Sequence, residues 1–234
     1  MSSPWKRKEV IGDCTLYLGD CREILPALPM FSAIVTDPPY GIDYGKAGGF
    51  SASHGWGQWR ENVSWDAQRP SKDVFDLLLS RAKIHIIWGG NYFTDFLPPS
   101  MQWLVWDKGQ RSFSLADCEF AWTSQNKAAR VFEYARGKAN LDGKQHPTQK
   151  PIELMSWCLD QIKPVPKSVC DPFMGSGTTG VSCIRRGVPF VGIEQDEGYF
   201  DGAAERMRKA LLQPDMFVEA APQPTQLSIL DGAA

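Results

Sequence analysis

Val169-Cys170-Asp171-Pro172-Phe173-Met174-Gly175-Ser176-Gly177-Thr178-Thr179-Gly180 is the stretch that decides the fold. A short apolar run stops at Asp171-Pro172, two glycines allow a sharp turn, and helical spacing begins at Thr178. Strand, glycine turn and helix in this order form half of a parallel βαβ unit. Outward from it, Ser168–Asp171 reads as a buried strand, Thr178–Arg186 as the helix and Pro189–Glu194 as the next strand, followed by an amphipathic helix over Tyr199–Leu212. On the amino-terminal side the same alternation recurs. Thr15–Leu18, Ser32–Thr36, Ile84–Trp88 and Trp103–Trp106 are strand candidates, and Val74–Ala82 and Ile152–Ile162 have helical spacing. Short apolar runs alternating with helices predict an α/β domain with a mostly parallel central sheet flanked by helices. No internal repeat interrupts the pattern.

Composition sets the outer limits. The 234 residues are enough for one such domain with modest insertions, here 1–212. Hydrophobic content of 43% and charged content of 22% suit a globular protein. No apolar run approaches a membrane span and the first thirty residues lack a signal-peptide core, which predicts a cytoplasmic protein with no membrane partner. Cys14, Cys21, Cys118, Cys158, Cys170 and Cys183 form no Cys-x-x-Cys pair, and His54, His85 and His146 lie far apart. Reduced core thiols and no metal site are expected. Two stretches break the alternation. Gly41–Trp65 carries six glycines among Phe50, Trp56, Trp59 and Trp65, and reads as a mobile loop. The stretch 213–234 contains Pro214, Pro222 and Pro224 with few large apolar residues, and reads as a disordered tail.

Charge is uneven along the chain. Between Lys108 and Lys150 eight basic residues face four acids, within a chain of net charge -2. A basic patch on an acidic body suits a polyanion. Lys108, Arg111, Lys127, Arg130, Arg136, Lys138 and Lys144 are its candidate contacts. A solvated surface with a chance imbalance explains the composition equally well.

The glycine turn is also the cofactor signal. Its backbone can approach a ligand closely, and Glu194, ending the next strand 19 positions after Gly175, stands where a carboxylate accepts hydrogen bonds from ribose hydroxyls. Glycines 175, 177 and 180 equally satisfy a dinucleotide pattern, so the turn alone does not separate a nicotinamide cofactor from S-adenosylmethionine. The second signal is Asp37-Pro38-Pro39-Tyr40, directly after a strand and therefore at the carboxyl edge where α/β sheets bind ligands. An ionised aspartate only accepts hydrogen bonds. With the Pro38 carbonyl it forms a pair of acceptors for both hydrogens of an amino group, held in place by two prolines. Tyr40 adds a flat face on which an extruded base could stack.

Taken together, these motifs resemble the beta class of amino-group DNA methyltransferases. In that family Asp-Pro-Pro-Tyr comes first, the target-recognition region second and Phe-x-Gly-x-Gly last, as Asp37–Tyr40, the basic segment and Phe173–Gly177 do here. The resemblance covers 14–212 and implies a Rossmann-like, S-adenosylmethionine-dependent methyltransferase fold with permuted motif order. It implies double-stranded DNA as partner, with 108–145 as the target-recognition insertion and its basic residues as the DNA contacts, methylation of adenine N6 rather than cytosine N4 because position 37 is aspartate, and base flipping followed by in-line attack. Asp20 and Cys21, in Leu18-Gly19-Asp20-Cys21, take the place that reaches the cofactor adenine. His146, Thr148, Gln149 and Lys150, in His146-Pro147-Thr148-Gln149-Lys150-Pro151, line the methionine end. Asp37, Asp171, Phe173, Gly175, Ser176, Gly177, Thr178, Thr179 and Glu194 complete the cofactor set. Trp106 resembles a wall of the base pocket and is equally a core residue. A homodimer stays open, as does pairing with a restriction enzyme. Gln213-Pro214-Asp215-Met216-Phe217 resembles the peptide by which replication proteins dock on the bacterial sliding clamp. The competing readings are a nicotinamide-dependent oxidoreductase, which leaves Asp37–Tyr40 unexplained, and a DNA-binding subunit without turnover.

Overall fold

Strands that pair on both sides and carry helices on both faces need long buried runs, and the middle strands here have them toward their carboxyl ends. In Phe31–Thr36 (β3), Ala33, Ile34, Val35 and Thr36 are fully buried, and in Ala82–Trp88 (β4) so are Ile86, Ile87 and Trp88. Burial of each such large apolar side chain contributes ~1.5–3 kcal/mol. The protein is seen in a computed structural model that describes residues 3–42, 66, 68–111, 116–135 and 149–212. Nearly all of the glycine-rich loop, Arg136, Lys138, Lys144, His146, Thr148 and the Gln213–Phe217 motif lie outside the described residues.

The remaining strands are Arg7–Ile11 (β1), Cys14–Leu18 (β2), Trp103–Asp107 (β5), Cys118–Thr123 (β6), Arg130–Glu133 (β7), Val169–Asp171 (β8) and Phe190–Glu194 (β9). The helices are Cys21–Ile24 (α1), Lys72–Ser80 (α2), Ile152–Asp160 (α3), Thr178–Arg185 (α4) and Glu197–Leu212 (α5). They build one sheet of order β1-β2-β9-β8-β3-β4-β6-β5-β7. Pairing is parallel from β2 through β9, β8 and β3 to β4, and antiparallel at β1–β2, β4–β6 and β6–β5. Consequently β2, β9, β8, β3, β4 and β5 end on the same edge, while β6 begins there.

Helix packing explains the third glycine of the turn. On α5, Phe200, Ala203, Ala204 and Met207 form one buried stripe at helical spacing, against α4. A Cβ on Gly180 would stand 2.7 Å from Met207 and 2.8 Å from Phe190, so only glycine lets α4 lie this close.

The predicted strands and helices all form, with ends shifted by one or two residues. Three strands and α1 escape the sequence reading. In β1 the pattern Arg7-Lys8-Glu9-Val10-Ile11 buries only Ile11, and the strand exists because the tight turn at Gly12 (φ 56°) folds it back onto β2. Likewise β6 and β7 lie in the basic stretch for which the sequence predicts no strand, yet Ala121, Trp122 and Thr123 are buried in the sheet. All six cysteines are free thiols. Among the described residues no helix is long and apolar enough to cross a membrane.

Candidate active site

A cavity of about 810 Å³ opens along the shared strand edge. Asp20, Asp37, Asp171 and Glu194, the acids that terminate β2, β3, β8 and β9, all line it, as does Lys150 just before α3. The sheet thus brings the glycine turn and Asp37-Pro38-Pro39-Tyr40 to one hollow although they lie at opposite ends of the chain.

The glycine-turn side is built from backbone amides and carboxylates. Gly175 (φ 50°) and Gly177 (φ 75°) both take left-handed conformations. A Cβ at Gly175 would meet only the Phe173 carbonyl oxygen at 3.9 Å, so this part of the turn presents bare backbone with open space beside it. Glu194 fixes the turn: Oε2 accepts from the Gly175 amide at 2.9 Å, and Oε1 accepts from the Gln195 and Asp196 amides, each at 2.9 Å. Burial pushes its carboxyl up from the ordinary value, against these three donors. Three accepted bonds leave room for a fourth on a carboxylate. Asp20 caps α1, accepting from the Arg22 amide at 2.8 Å, and pairs with the Arg22 guanidinium, which holds its carboxyl below the usual range. Cys21 lies buried beneath, its thiol pushed up to about 12 by burial. Asp171 spends its oxygens on the protein. Thr36 and Thr179 hydroxyls donate to it at 2.7 Å each and the Phe173 amide at 3.1 Å, strapping β3, β8 and α4 together. Burial outweighs those donors and raises its carboxyl to about 6. Phe173, Ser176, Thr178, Thr179 and Gln149 also line the cavity; Gly177 serves the turn from behind, packed against Ala203.

Asp37 stands at the centre of the other side. Its Oδ1 accepts from the Tyr40 hydroxyl at 2.5 Å and its Oδ2 from the Lys150 ammonium at 2.6 Å. A quarter of its side-chain surface stays open. Burial raises its carboxyl, and the neighbouring Lys150 charge pulls the other way. Asp66 holds the loop from outside, Oδ1 accepting from the Tyr40 and Gly41 amides at 2.7 and 2.9 Å. The expected open face of Tyr40 is already half occupied: Tyr92 stacks on it, ring centroids 4.8 Å apart and planes at 16°. Gly89 (φ 68°) makes this possible, since a Cβ there would fall 2.1 Å from the Tyr40 ring. Tyr92 lines the cavity, so the aromatic platform consists of two rings.

Lys150 does not stand alone against Asp37. Glu119, the second residue of β6, places Oε2 3.0 Å from the same ammonium and Oε1 2.7 Å from Lys108. Burial opposes charge on Lys150 and Glu119, but Asp37 and Glu119 hold the Lys150 pKa well above its ordinary value, and Lys150 and Lys108 hold Glu119 down to about 2. Trp106 is both core and wall: it is 5% exposed, lines the cavity and donates through Nε1 to the Tyr134 carbonyl at 2.9 Å.

The expected DNA contacts divide. Arg111 is exposed beyond the end of β5, paired with Asp107 at 2.8 Å. Lys108 is drawn inward to Glu119 and is only 9% exposed, so it contributes no open basic surface. Topology places Lys127 and Arg130 elsewhere. Because β6 runs antiparallel to β4, the turn after it, and Arg130 opposite Leu104 at the start of β5, fall on the far edge of the sheet. There Lys127 donates to the Gln161 carbonyl oxygen at 3.2 Å, away from the cavity.

The sequence pattern of the DNA methylase family of N6 and N4 methyltransferases matches residues 87–205, just over half of the chain. The chain belongs to this family. Its reaction is therefore amino-group methylation of DNA, at adenine N6 or cytosine N4. The matched region holds Lys150, the glycine turn and Glu194, and Asp37 lies before it. The chain is also 26% identical to the type II methyltransferase M.HinfI of Haemophilus influenzae over 262 residues, covering 89% of this chain and 72% of that protein. It is 30% identical to M2.LlaDCHI of Lactococcus lactis subsp. cremoris over 120 residues, covering 42% and 45%. Among solved structures, the M1.HpyAVI–SAM complex superposes with a TM-score of 0.56 at 21% identity, over 82% of this chain and 99% of that one. The cytosine-N4-specific PvuII DNA methyltransferase superposes with 0.57 at 14% identity, over 89% and 95%. Both structures share the fold of this DNA methylase.

Proposed function

We propose that this DNA methylase methylates adenine at N6, with Asp37 and the Pro38 carbonyl as acceptors for the target amino group. The observation that carries this reading is the Asp37 carboxylate, partly open, in the same cavity as the glycine turn. S-adenosylmethionine supplies an electrophilic methyl group on a sulfonium, and the residues present fit it. The bare backbone at Gly175 leaves space beside the turn, and Asp20 and Glu194 offer carboxylates toward hydroxyl and amino groups. Ser176, Thr178 and Gln149 line the same side with neutral polar groups.

The exocyclic nitrogen of adenine is a weak nucleophile because its lone pair is delocalised into the ring. Asp37 and the Pro38 carbonyl hold its two hydrogens and turn the lone pair out of the ring plane. Both acceptors are fixed in advance by the prolines, by Tyr40 and by Lys150, so little reorganisation accompanies reaction. The methylated nitrogen must then lose a proton, and Asp37 is positioned to take it. Tyr40 and Tyr92 give the flipped base a stacking surface, which offsets a few kcal/mol of unstacking. Aspartate rather than serine at position 37 supports adenine over cytosine. Digestion of DNA methylated in vitro, followed by mass spectrometry of the nucleosides, tests the choice. N6-methyladenine is expected, and N4-methylcytosine as the sole product would overturn it.

A further inference from the structure

Glu119 has no place in the acceptor scheme above, yet it is tied into the site through both Lys150 and Lys108. Four side chains of alternating charge run in a line: Lys108, Glu119, Lys150, Asp37. The successive contacts are 2.7, 3.0 and 2.6 Å. Lys108 and Lys150 are 9% and 6% exposed, so these are not solvated surface pairs. Burying such a chain is expensive unless each charge is matched, which makes the arrangement a built feature of the pocket.

We propose that Glu119, anchored by Lys108, is a positioning residue for methyl transfer: it shares the Lys150 ammonium with Asp37 and so preserves the strength of Asp37 as acceptor for the base amino group. The inference rests on Asp37 being that acceptor. Methyl transfer moves positive charge onto the amino nitrogen. A lone ammonium 2.6 Å from Asp37 would oppose this charge and weaken the carboxylate as acceptor. A second carboxylate on the other side of the ammonium cancels most of that effect, while Lys108 stands one carboxylate further out. The described groups facing Asp37 are Tyr40 from its own loop, Lys150 before α3, Glu119 on β6 and Asp171 on β8. Of these, Lys150 draws the Asp37 carboxyl down and Glu119 raises it.

The signs of two substitutions are therefore opposite. Glu119→Gln leaves the whole Lys150 charge to Asp37, makes Asp37 more acidic and moves the acid limb of the kcat/KM profile to lower pH. Lys150→Met removes the charge that draws the carboxyl down and moves that limb to higher pH. Loss of fold would also lower activity in Glu119→Gln, because Lys108 is left buried without its carboxylate. The double variant Lys108→Met/Glu119→Gln keeps the buried charge balanced and separates the two effects. The test measures pH profiles of methyl transfer to DNA, with S-adenosylhomocysteine affinity by calorimetry, in the full chain. Glu119→Gln and the double variant are expected to lose kcat by roughly ten- to a hundredfold, judged from one charge acting across a partly dry site. Both should keep cofactor-analogue affinity and shift the acid limb downward. Wild-type kcat in the double variant, or an acid limb that stays put or rises in both, would overturn the role of Glu119 and leave Asp37 untouched. Absence of turnover in the wild-type chain would overturn the acceptor reading itself, and this inference with it.

Discussion

Substituting alanine for Gly89 probes the site without touching any group that does chemistry. The added Cβ would lie 2.1 Å from Cε1, 2.5 Å from Cδ1 and 2.6 Å from Cζ of Tyr40. Ordinary carbon contacts begin near ~3.5 Å, so the ring must retreat by more than about an ångström. It has no easy retreat. Tyr92 stacks on it at 4.8 Å, Phe93 abuts it edge-on at 6.2 Å, and its hydroxyl is tied to Asp37 at 2.5 Å. In addition, alanine at φ 68° costs roughly 1–2 kcal/mol of stability. A displaced Tyr40 drags or releases the Asp37 carboxylate, and misplacement by about an ångström costs on the order of a hundredfold in rate. The expected result is a folded protein, destabilised by about 1–3 kcal/mol in urea, with kcat for DNA methylation down roughly a hundredfold. Its affinity for S-adenosylhomocysteine should be unchanged, since the glycine turn is untouched. A Gly89→Ala protein with wild-type kcat would refute the claim that Tyr40 fixes Asp37.

Further outcomes follow from the same geometry. Lys150→Met removes the buried ammonium shared by two half-buried carboxylates, and breaking such a pair costs up to about 3–5 kcal/mol, which chemical denaturation at neutral pH would register; a loss below about 1 kcal/mol would contradict the ion-pair account. Asp171 is raised to about 6 from 3.8, so its neutral form favours the fold. Its contribution is fully present below the unfolded value of 3.8 and is lost as pH rises through about 6. Asp171→Asn should remove a stability slope worth on the order of 3 kcal/mol across that window, measured as melting temperature against pH; an unchanged slope would assign it to other groups. Glu194→Ala should weaken S-adenosylhomocysteine binding at least tenfold, about 1.4 kcal/mol, because the carboxylate that ties down the Gly175 amide is lost; an unchanged dissociation constant would remove Glu194 from the cofactor site.

The parallel half of the fold was legible because its strands are buried on both faces and its turns end in glycine or aspartate. The residue Glu194, 19 positions beyond Gly175, was placed by spacing alone, and the structure adds that it also braces the turn. What escaped notice depended on tertiary pairing. Strand β6 carries no alternation in Cys118-Glu119-Phe120-Ala121-Trp122-Thr123, and its reversal relative to β4 is a property of the sheet. That reversal carries Glu119 to the cavity and moves Lys127 and Arg130 away from it. A basic count along the chain could not separate Lys108, neutralised inside, from Arg111, exposed beyond the end of β5. The pairing of Lys150 with Asp37 spans 113 positions and leaves no local trace, so Lys150 read as a cofactor residue from its motif. Tyr92, in the short turn after Gly89-Gly90, had a signal in those glycines, but the ring they make room for lies far back in the chain.

The most direct measurement is a comparison of Asp37→Ala with the wild-type protein for methyl transfer to DNA, alongside calorimetric titration of S-adenosylhomocysteine into the same preparations. If the carboxylate holds the base amino group, turnover falls by at least about a thousandfold, as for loss of a key electrostatic contact, while the dissociation constant changes by no more than a few-fold. An alanine variant that still methylates DNA at a comparable rate would contradict the account.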